Sequence, residues 1–282
     1  MSDAGGNDAG YTGCHGLRPG CTVPFLLVLQ GARMLSQFSL PDAGSTWLNL
    51  LAFVWFMLCW VGYTHYARHR ARDTACLASV LHLYRQDWMS RLLMREQRIA
   101  DASVIGNLER NTAFFASSTL LILAGIITVM GATDRAQNLL HDIPFVANVS
   151  RQMSEMKLLV MLGIFVYAFF TFSWGMRQYN FASVLLGSAP LVGEKQVSEV
   201  ERKAYAARAA SVLSMAGNEF NLGLRAYYFA LAGLTWFINP LLFMLTSAGV
   251  VWVLYKREFH SRVLKAMMYS PTGGLIQQDT PD

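Results

Sequence analysis

The chain has 282 residues, of which 54% are hydrophobic and only 15% are charged. Soluble domains usually carry about 25% charged residues, so this composition excludes an ordinary soluble domain and favours a membrane protein. The net charge of +5 is modest, and the arginines cluster beside apolar segments without interleaved aromatic residues or a known motif, which argues against nucleic-acid binding.

Four long intervals contain no Asp, Glu, Lys or Arg: 43–67, 111–133, 158–176 and 226–255. Each meets or approaches the ~20 apolar residues that an α-helix needs to cross about 30 Å of hydrocarbon. Lipid cannot satisfy open backbone groups, so such segments are helical. The sequence therefore predicts an all-α fold, a polytopic transmembrane bundle of four spans, with long cytoplasmic helical segments between spans one and two and between spans three and four.

The N-terminal residues have a different character. Residues 1–33 are rich in glycine and irregular, and a cleaner pattern begins at Met34, so an over-called start is one interpretation. We expect an irregular extension over 1–43, a single transmembrane helical domain over 44–260 and a flexible tail over 261–282.

The segment after span one, 67–110, contains no proline and has apolar residues at helical spacing, which predicts a helix. Arg91, Arg95 and Arg98 follow one edge of it. Such a row can hold anionic lipid headgroups at about 1 kcal/mol per cation. A solvated helix face is the alternative interpretation.

Span two places small residues on one face of its helix, at about 100° per residue. They are Ala113, Ser117, Ala124, Thr128 and Gly131. Small residues let another backbone approach closely, and hydroxyl groups can form hydrogen bonds across the contact. This face predicts a packing surface for another helix, with a water-lined path as the alternative.

The segment after span three, 177–225, contains the sequence SEVERKAYAARAASVLSMA. Ser198 and Glu201 have the spacing of a capping box, which marks a helix start. The alanines that follow favour a helix and predict close packing against a neighbouring helix.

A polar stripe runs into the fourth apolar interval within an arc of about 100° on a continuous helix. Its members are Asn218, Asn221, Arg225, Tyr228, Thr235 and Asn239. Pro240 removes one backbone donor and frees the carbonyl of Trp236. The stripe predicts polar ties between helices at a kink, a site for a small ligand or ion at a broken helix, or a gating hinge.

The fourth interval is also too long for one span. Its thirty residues extend roughly 45 Å, at about 1.5 Å each, against about 30 Å of hydrocarbon. Either the helix kinks and protrudes, or the sequence INP turns it back as a re-entrant hairpin. We expect the kinked span, because each arm of a hairpin would be short.

The distribution of Lys and Arg predicts an orientation in the cell inner (plasma) membrane. Segments 67–110 and 177–225 are rich in cations and are expected to be cytoplasmic, with both termini outside. Four C-terminal cations do not fit this arrangement, although a hairpin would return them to the cytoplasm. They are Lys256, Arg257, Arg262 and Lys265.

Two stretches carry a family resemblance: RNTAFFASSTLLILAG at 110–125 and FNLGLRAYYFALAGLTWFINP at 220–240. They resemble a family of bacterial and plant membrane proteins known only as a domain of unknown function. The resemblance covers about residues 48–256. It implies a multi-span helical protein of the inner membrane, and it implies no catalytic or binding residues.

Three functions remain open. The first is a non-catalytic membrane protein that packs with a second copy or with another membrane protein. The second is a small carrier or channel that uses the polar stripe, although no Asp or Glu lies within a predicted span. The third is a membrane enzyme acting on lipid.

The enzyme hypothesis has the weakest support, because the sequence predicts no catalytic residues, metal ligands or cofactor. His65 and His69 stand four residues apart with Asp73 one turn further on, and a solvated helix face is the simpler interpretation. Asp134, His141 and Asp142 have irregular spacing for a metal site.

Overall fold

A computed structural model describes residues 43–74, 76–132, 151–194 and 197–268. These residues form helices and turns and contain no strand, which confirms the all-α prediction. Residues 1–42 of the expected N-terminal extension over 1–43, and the end of the tail, 269–282, lie outside the described residues. So do Asp134, His141 and Asp142.

The helices are numbered α1 to α8 in chain order. The first, α1, continues through a π-helical turn into α2, and a 3₁₀ turn separates α6 from α7. The bounds are α1 Ala43–Met57, π turn Leu58–Gly62, α2 Tyr63–Asp73, α3 Leu77–Leu92, α4 Ile99–Gly131, α5 Arg151–Gly187, α6 Glu199–Leu234, 3₁₀ turn Thr235–Phe237, α7 Pro240–Phe259 and α8 Arg262–Met268.

Three stretches of helix are long and apolar enough to cross a membrane: Thr46–Ala71, Ile99–Gly131 and Arg151–Gly187. They cover residues 46–67, 111–131 and 158–176 of the first three predicted spans and extend beyond them into polar sequence. The predicted helix over 67–110 is interrupted around residues 74–76 and 93–98, so it supplies the end of α2, all of α3 and the beginning of α4.

The fourth predicted span is a helical hairpin, so the prediction of one continuous kinked helix is wrong. Arg225 pairs with Glu258 far from the turn, and Thr235 bonds to Thr246 close to it, which makes α6 and α7 antiparallel. The physical reason lies at Asn239, whose extended backbone (φ −155°) ends the turn before Pro240 begins α7. Proline at the first helical position starts a helix without loss, since its missing N–H has no partner there in any case.

The hairpin returns residues 256–268 to the end of the bundle that carries α3. The hydroxyl of Tyr84 on α3 donates a 2.9 Å hydrogen bond to the carbonyl of Met267 on α8. The four-span prediction put the four C-terminal cations on the opposite side from segment 67–110. The structure brings them to the same end of the bundle as α3, so this part of the prediction is wrong.

The buried residues form two clusters. The first joins α1, α5, α6 and α7 through large side chains, among them Phe56, Phe172, Phe229 and Phe243. Gly223 is required there, because a Cβ atom at this position would lie 2.5 Å from the ring of Phe172.

The second cluster joins α3, α5 and the N-terminal half of α6. Its α6 members are mostly alanines, including Ala206, Ala209 and Ala210, which pack against Met89 and Leu92 of α3. Close packing of the alanine-rich segment is therefore confirmed. The capping box is confirmed as well, because Ser198 and Glu201 exchange side-chain-to-backbone hydrogen bonds at the start of α6.

Candidate functional site

The polar stripe of α6 divides into residues that face α7 and residues that do not. Arg225, Tyr228 and Thr235 each contact a polar side chain of α7. Asn218 and Asn221 lie on the exposed surface of α6. The structure therefore brings half of the predicted stripe together, on the contact between the two arms of the hairpin.

An ion pair joins the hairpin at its open end. Nη2 of Arg225 lies 2.8 and 2.7 Å from the two carboxylate oxygens of Glu258, and both side chains are about 85% buried, at 13% and 15% exposure. The hydroxyl of Tyr63 donates a 2.8 Å hydrogen bond to the same carboxylate. The guanidinium also lies 5.4 Å from the centre of the Tyr63 ring. This cluster, the Arg225–Glu258–Tyr63 site, links α2, α6 and α7.

The π-helical turn ends one residue before Tyr63. A π-helical turn adds a residue to a helical turn and is found frequently at functional sites. It changes the direction of the side chains that follow it, and Tyr63 is the first of them. The turn therefore contributes to the position of Tyr63 beside the ion pair.

Two further pairs tie the arms of the hairpin together. Arg257 donates a 3.1 Å hydrogen bond to the hydroxyl of Tyr228, on a more exposed side of the contact. The hydroxyls of Thr235 and Thr246 lie 2.8 Å apart near the turn. The stripe was predicted to form polar ties between helices, and these contacts with α7 are of that kind.

A buried lysine occupies the closed end of the hairpin. Lys157 of α5 is 1% exposed, and its Nζ donates a 2.8 Å hydrogen bond to the carbonyl of Trp236. This is the carbonyl that Pro240 was predicted to leave free. The indole of Trp236 in turn donates a 2.8 Å hydrogen bond to Asn49 of α1. Lys157, Trp236 and Asn49 therefore fix α1, α5 and the turn to one another.

Asn239, the last member of the predicted stripe, lies at the turn and is exposed. Its side-chain oxygen accepts a 2.7 Å hydrogen bond from the backbone N–H of Leu241. This is the geometry of a helix N-cap, in which the side chain satisfies a backbone donor of the first turn.

The three arginines predicted to hold anionic lipid all have partners in the protein. Arg91 pairs with Asp87 on the exposed face of α3. Arg95 donates a 2.8 Å hydrogen bond to the buried carboxylate of Asp101. Arg98 donates to two carbonyls after the end of α5, those of Ala189 at 2.8 Å and Pro190 at 2.5 Å. Lipid binding by these residues stays a prediction, and Arg91 is the most accessible of them at 68% side-chain exposure.

The small-residue face of α4 points away from the rest of the bundle. Ser117, Ala124, Thr128 and Gly131 are exposed. The opposite side of α4 is buried, and there Thr119 lies 2.8 Å from the hydroxyl of Tyr227 on α6. Gly131 belongs to this face and Gly125 borders it. Within the described part of the chain, no side chain lies within 4 Å of a Cβ atom built at either glycine. We call Ser117, Ala124, Thr128 and Gly131 the outer face of α4.

The described residues offer little for metal chemistry. His65 and His69 are exposed on α2. Across residues 43–74, 76–132, 151–194 and 197–268, no three His, Cys, Asp or Glu side chains are grouped closely enough to hold a metal ion. No observation in this part of the chain favours the membrane-enzyme hypothesis.

Sequence reasoning missed Glu258 and Lys157. Glu258 follows the cationic pair Lys256 and Arg257, so it resembles a solvated residue at a helix end until the chain is folded back onto α6. Lys157 marks the boundary of span three and resembles an interfacial lysine. The free carbonyl of Trp236 was the available signal, because it required a buried donor from elsewhere in the chain.

A family model matches most of the chain. No curated protein and no solved structure matches it. The family model described as "Protein of unknown function, DUF599" matches residues 51–263, which include the hairpin, the Arg225–Glu258–Tyr63 site and α4. The chain therefore belongs to the DUF599 family of proteins of unknown function.

Proposed function

We propose that this protein is a multi-pass protein of the inner (plasma) membrane, with five antiparallel passes in place of the four predicted. Three helices have the length and composition of spans, and the arms of the hairpin supply two shorter passes. The apolar part of α7, residues 240–255, extends about 24 Å. A bilayer accommodates such a short pass by local thinning and by polar side chains that reach its surface.

The distribution of cations supports an orientation with the arginine-rich end in the cytoplasm and the N-terminus outside. With a hairpin, segments 68–110, 177–225 and 256–265 lie on one side, and these segments contain eighteen of the 23 Lys and Arg residues. The positive-inside rule makes that side cytoplasmic.

Reporter fusions test the number of passes. We expect a reporter fused after Ala132 to be active only outside the cytoplasm, and reporters fused after Ser188 or His260 to be active only inside. An external reporter after His260, with the other two as expected, would restore the four-span arrangement and contradict the fifth pass.

The function that the geometry supports best is association with another membrane helix through the outer face of α4. This face consists of small residues and lacks a covering helix among the described residues. Close backbone approach and hydroxyl hydrogen bonds drive helix association in membranes, where burial of apolar surface gives no advantage. The partner is a second copy of the chain or another membrane protein.

A matched pair of substitutions tests this function. Ala124→Leu enlarges a residue of the outer face, whereas Ala248→Leu makes the same change at an exposed alanine of α7. After mild-detergent extraction, native mass spectrometry should find the wild type and Ala248→Leu in a complex, and Ala124→Leu as a monomer. The mass of the complex distinguishes a second copy from a different protein, and a wild-type monomer without bound protein would contradict the proposal.

A second candidate is a small carrier or channel, favoured by the Arg225–Glu258–Tyr63 site. Buried ionisable residues between membrane helices commonly mark ion or proton pathways. Proton flux into proteoliposomes under a pH gradient tests this function. The double variant Arg225→Met/Glu258→Leu removes both charges together and should abolish the flux without leaving an unpaired charge, whereas absence of flux in the wild type would eliminate the carrier.

A further inference from the structure

Arg85 of α3 is a partly buried cation with an incomplete set of partners. Its guanidinium lies against α6, where Nη1 is 3.5 Å from the hydroxyl of Ser214. A guanidinium has five N–H donors, and this long contact uses one of them. Among the described residues, no carboxylate lies within ion-pair distance of Arg85.

Other cations of the bundle have close acceptors, both the buried Arg225 and Lys157 and the more exposed Arg95. Arg225 has Glu258 at 2.7 Å, Arg95 has Asp101 at 2.8 Å, and Lys157 has a carbonyl at 2.8 Å. A buried charge is costly unless it is paired and hydrogen-bonded. Burial lowers the pKa of Arg85 from its ordinary value, and the phenol of Tyr179 acts weakly in the opposite direction. Arg85 is half-buried, and among the described residues it has no close acceptor of the kind that Arg225, Arg95 and Lys157 have.

The groups around Arg85 are hydrogen-bonding groups without negative charge. Ser214 lies 2.8 Å from Nδ1 of His82, and Nε2 of the same imidazole lies 3.0 Å from the amide nitrogen of Gln86. Burial and then the positive charge of Arg85 lower the pKa of His82, which keeps the imidazole neutral at physiological pH. The Gln86 amide donates to Nε2, so Nδ1–H donates to Ser214 and leaves the Ser214 O–H free to donate. An incoming anion would therefore meet the Arg85 guanidinium and the Ser214 hydroxyl, and among the described residues no carboxylate lies within ion-pair distance of Arg85.

Gly217 allows the guanidinium to lie directly on the backbone of α6. A Cβ atom at this position would lie 2.6 Å from Nη2 of Arg85, which is closer than two such atoms approach. A larger residue at position 217, one helical turn after Ser214, would displace the guanidinium from this place. The site lies at the contact of α3 with α6.

We infer that Arg85 and the hydroxyl of Ser214, which His82 orients, form a binding site for a phosphate group. Planar guanidinium donors match the geometry of phosphate oxygens and bind them with paired hydrogen bonds. Gly217 precedes Arg225 by eight residues, or about 12 Å along α6. The site therefore lies beyond the ion pair, at the arginine-rich end of the bundle, where both a lipid headgroup phosphate and free phosphate are accessible.

This site differs from the row of arginines that the sequence singled out. Arg95 and Arg98 have their donors directed to Asp101 and to backbone carbonyls, whereas Arg85 retains donors for an external ligand. The inference does not depend on the outer face of α4, so either proposal can fail without the other.

The test uses the full-length protein with two probes. In phosphatidylcholine nanodiscs, inorganic phosphate is titrated at constant ionic strength, with chloride as the replaced anion, and the Tm is followed. In a second arm, phosphatidic acid is added in mild detergent and retained lipid is counted by native mass spectrometry. The variants are Arg85→Met, Gly217→Ala and, as a control that removes one exposed cation of α6, Lys203→Met.

We expect Arg85→Met and Gly217→Ala to bind the effective probe at least about tenfold more weakly, with Lys203→Met unchanged. A phosphate-dependent rise in Tm would identify free phosphate, and retention of phosphatidic acid without that rise would identify a lipid headgroup. Gly217→Ala keeps every charge, so it decides the matter if Arg85→Met does not fold. The inference is overturned if neither probe binds the wild type, or if the probe that binds the wild type binds Arg85→Met and Gly217→Ala equally well.

Discussion

The two ends of the α6–α7 hairpin each bury a cation, and they balance it differently. At the open end, Arg225 meets the carboxylate of Glu258, which also accepts a hydrogen bond from Tyr63. At the turn, Lys157 donates to the carbonyl of Trp236 and lies near the rings of Trp236 and Phe237, and none of its partners among the described residues is a carboxylate. One end is an ion pair with full charges on both sides, and the other is a charge held by a backbone dipole.

The difference shows what each cation does for the fold. The carbonyl of Trp236 belongs to the last turn after α6, where the helix dipole is negative and a cation is favourable. Lys157 therefore completes the hydrogen bonding of a helix end. Arg225 and Glu258 instead neutralise each other, so the removal of either one exposes the other to an apolar surrounding.

The largest effect is expected from Glu258→Gln. This change leaves Arg225 buried without a counter-charge, and breaking a buried pair in this way costs about 3–5 kcal/mol of the free energy of unfolding. Denaturant titration of the purified protein in mixed micelles measures the loss.

Two controls separate charge from packing in this experiment. Glu155→Gln breaks an exposed pair with Arg151 and should cost only about 0–1 kcal/mol. The double variant Arg225→Met/Glu258→Leu should recover much of the stability lost in Glu258→Gln. If the double variant is as unstable as the single one, the pair is not what destabilises the protein.

A smaller loss is expected from Lys157→Met. The carbonyl of Trp236 loses its buried donor, which costs about 1–3 kcal/mol. The loss is partly offset because the buried charge disappears as well. The same titration measures it, with Lys203→Met as the exposed control. A stabilised Lys157→Met protein would mean that the cost of burying the ammonium exceeds the value of its hydrogen bond.

The sequence predicted the helices better than their arrangement. Apolar length identified the three helices that are long and apolar enough to span a membrane, and the Ser198 capping box identified the start of α6. The partner of the Trp236 carbonyl could not be predicted, because Lys157 lies 79 residues away along the chain. Contacts at such separations depend on how helices pack, which local patterns do not specify.

The hairpin turn was wrongly predicted as a kink, because the sequence Asn-Pro is compatible with two structures. Proline within a helix breaks a hydrogen bond and produces a kink, whereas proline after an N-cap residue starts a new helix. The length of the apolar interval allowed both interpretations. Arg225 and Glu258 lie 33 residues apart, so only the folded chain distinguishes them.

The third prediction concerns this turn. Asn239→Ala removes the N-cap of α7 and should cost about 1 kcal/mol, whereas Asn239→Ser retains a capping oxygen and should cost less. Unfolding measurements on both variants provide the comparison. Equal losses in the two variants would contradict capping and favour another role for the Asn239 amide.

The smallest effect is expected at the Thr235–Thr246 contact. Interhelical hydrogen bonds in membranes contribute about 0.6 kcal/mol on average. Both hydroxyls also contact carbonyls of their own helical turns, Ala232 for Thr235 and Leu242 for Thr246, so neither is left unsatisfied when the other is removed. A double-mutant cycle with Thr235→Val and Thr246→Val should therefore give a coupling of about 0.6 kcal/mol or less. A coupling near 2 kcal/mol would show that the two threonines stabilise each other as strongly as Arg225 and Glu258 do. The contrast between a weak hydrogen bond at the turn and a strong ion pair at the open end of the hairpin would then not hold.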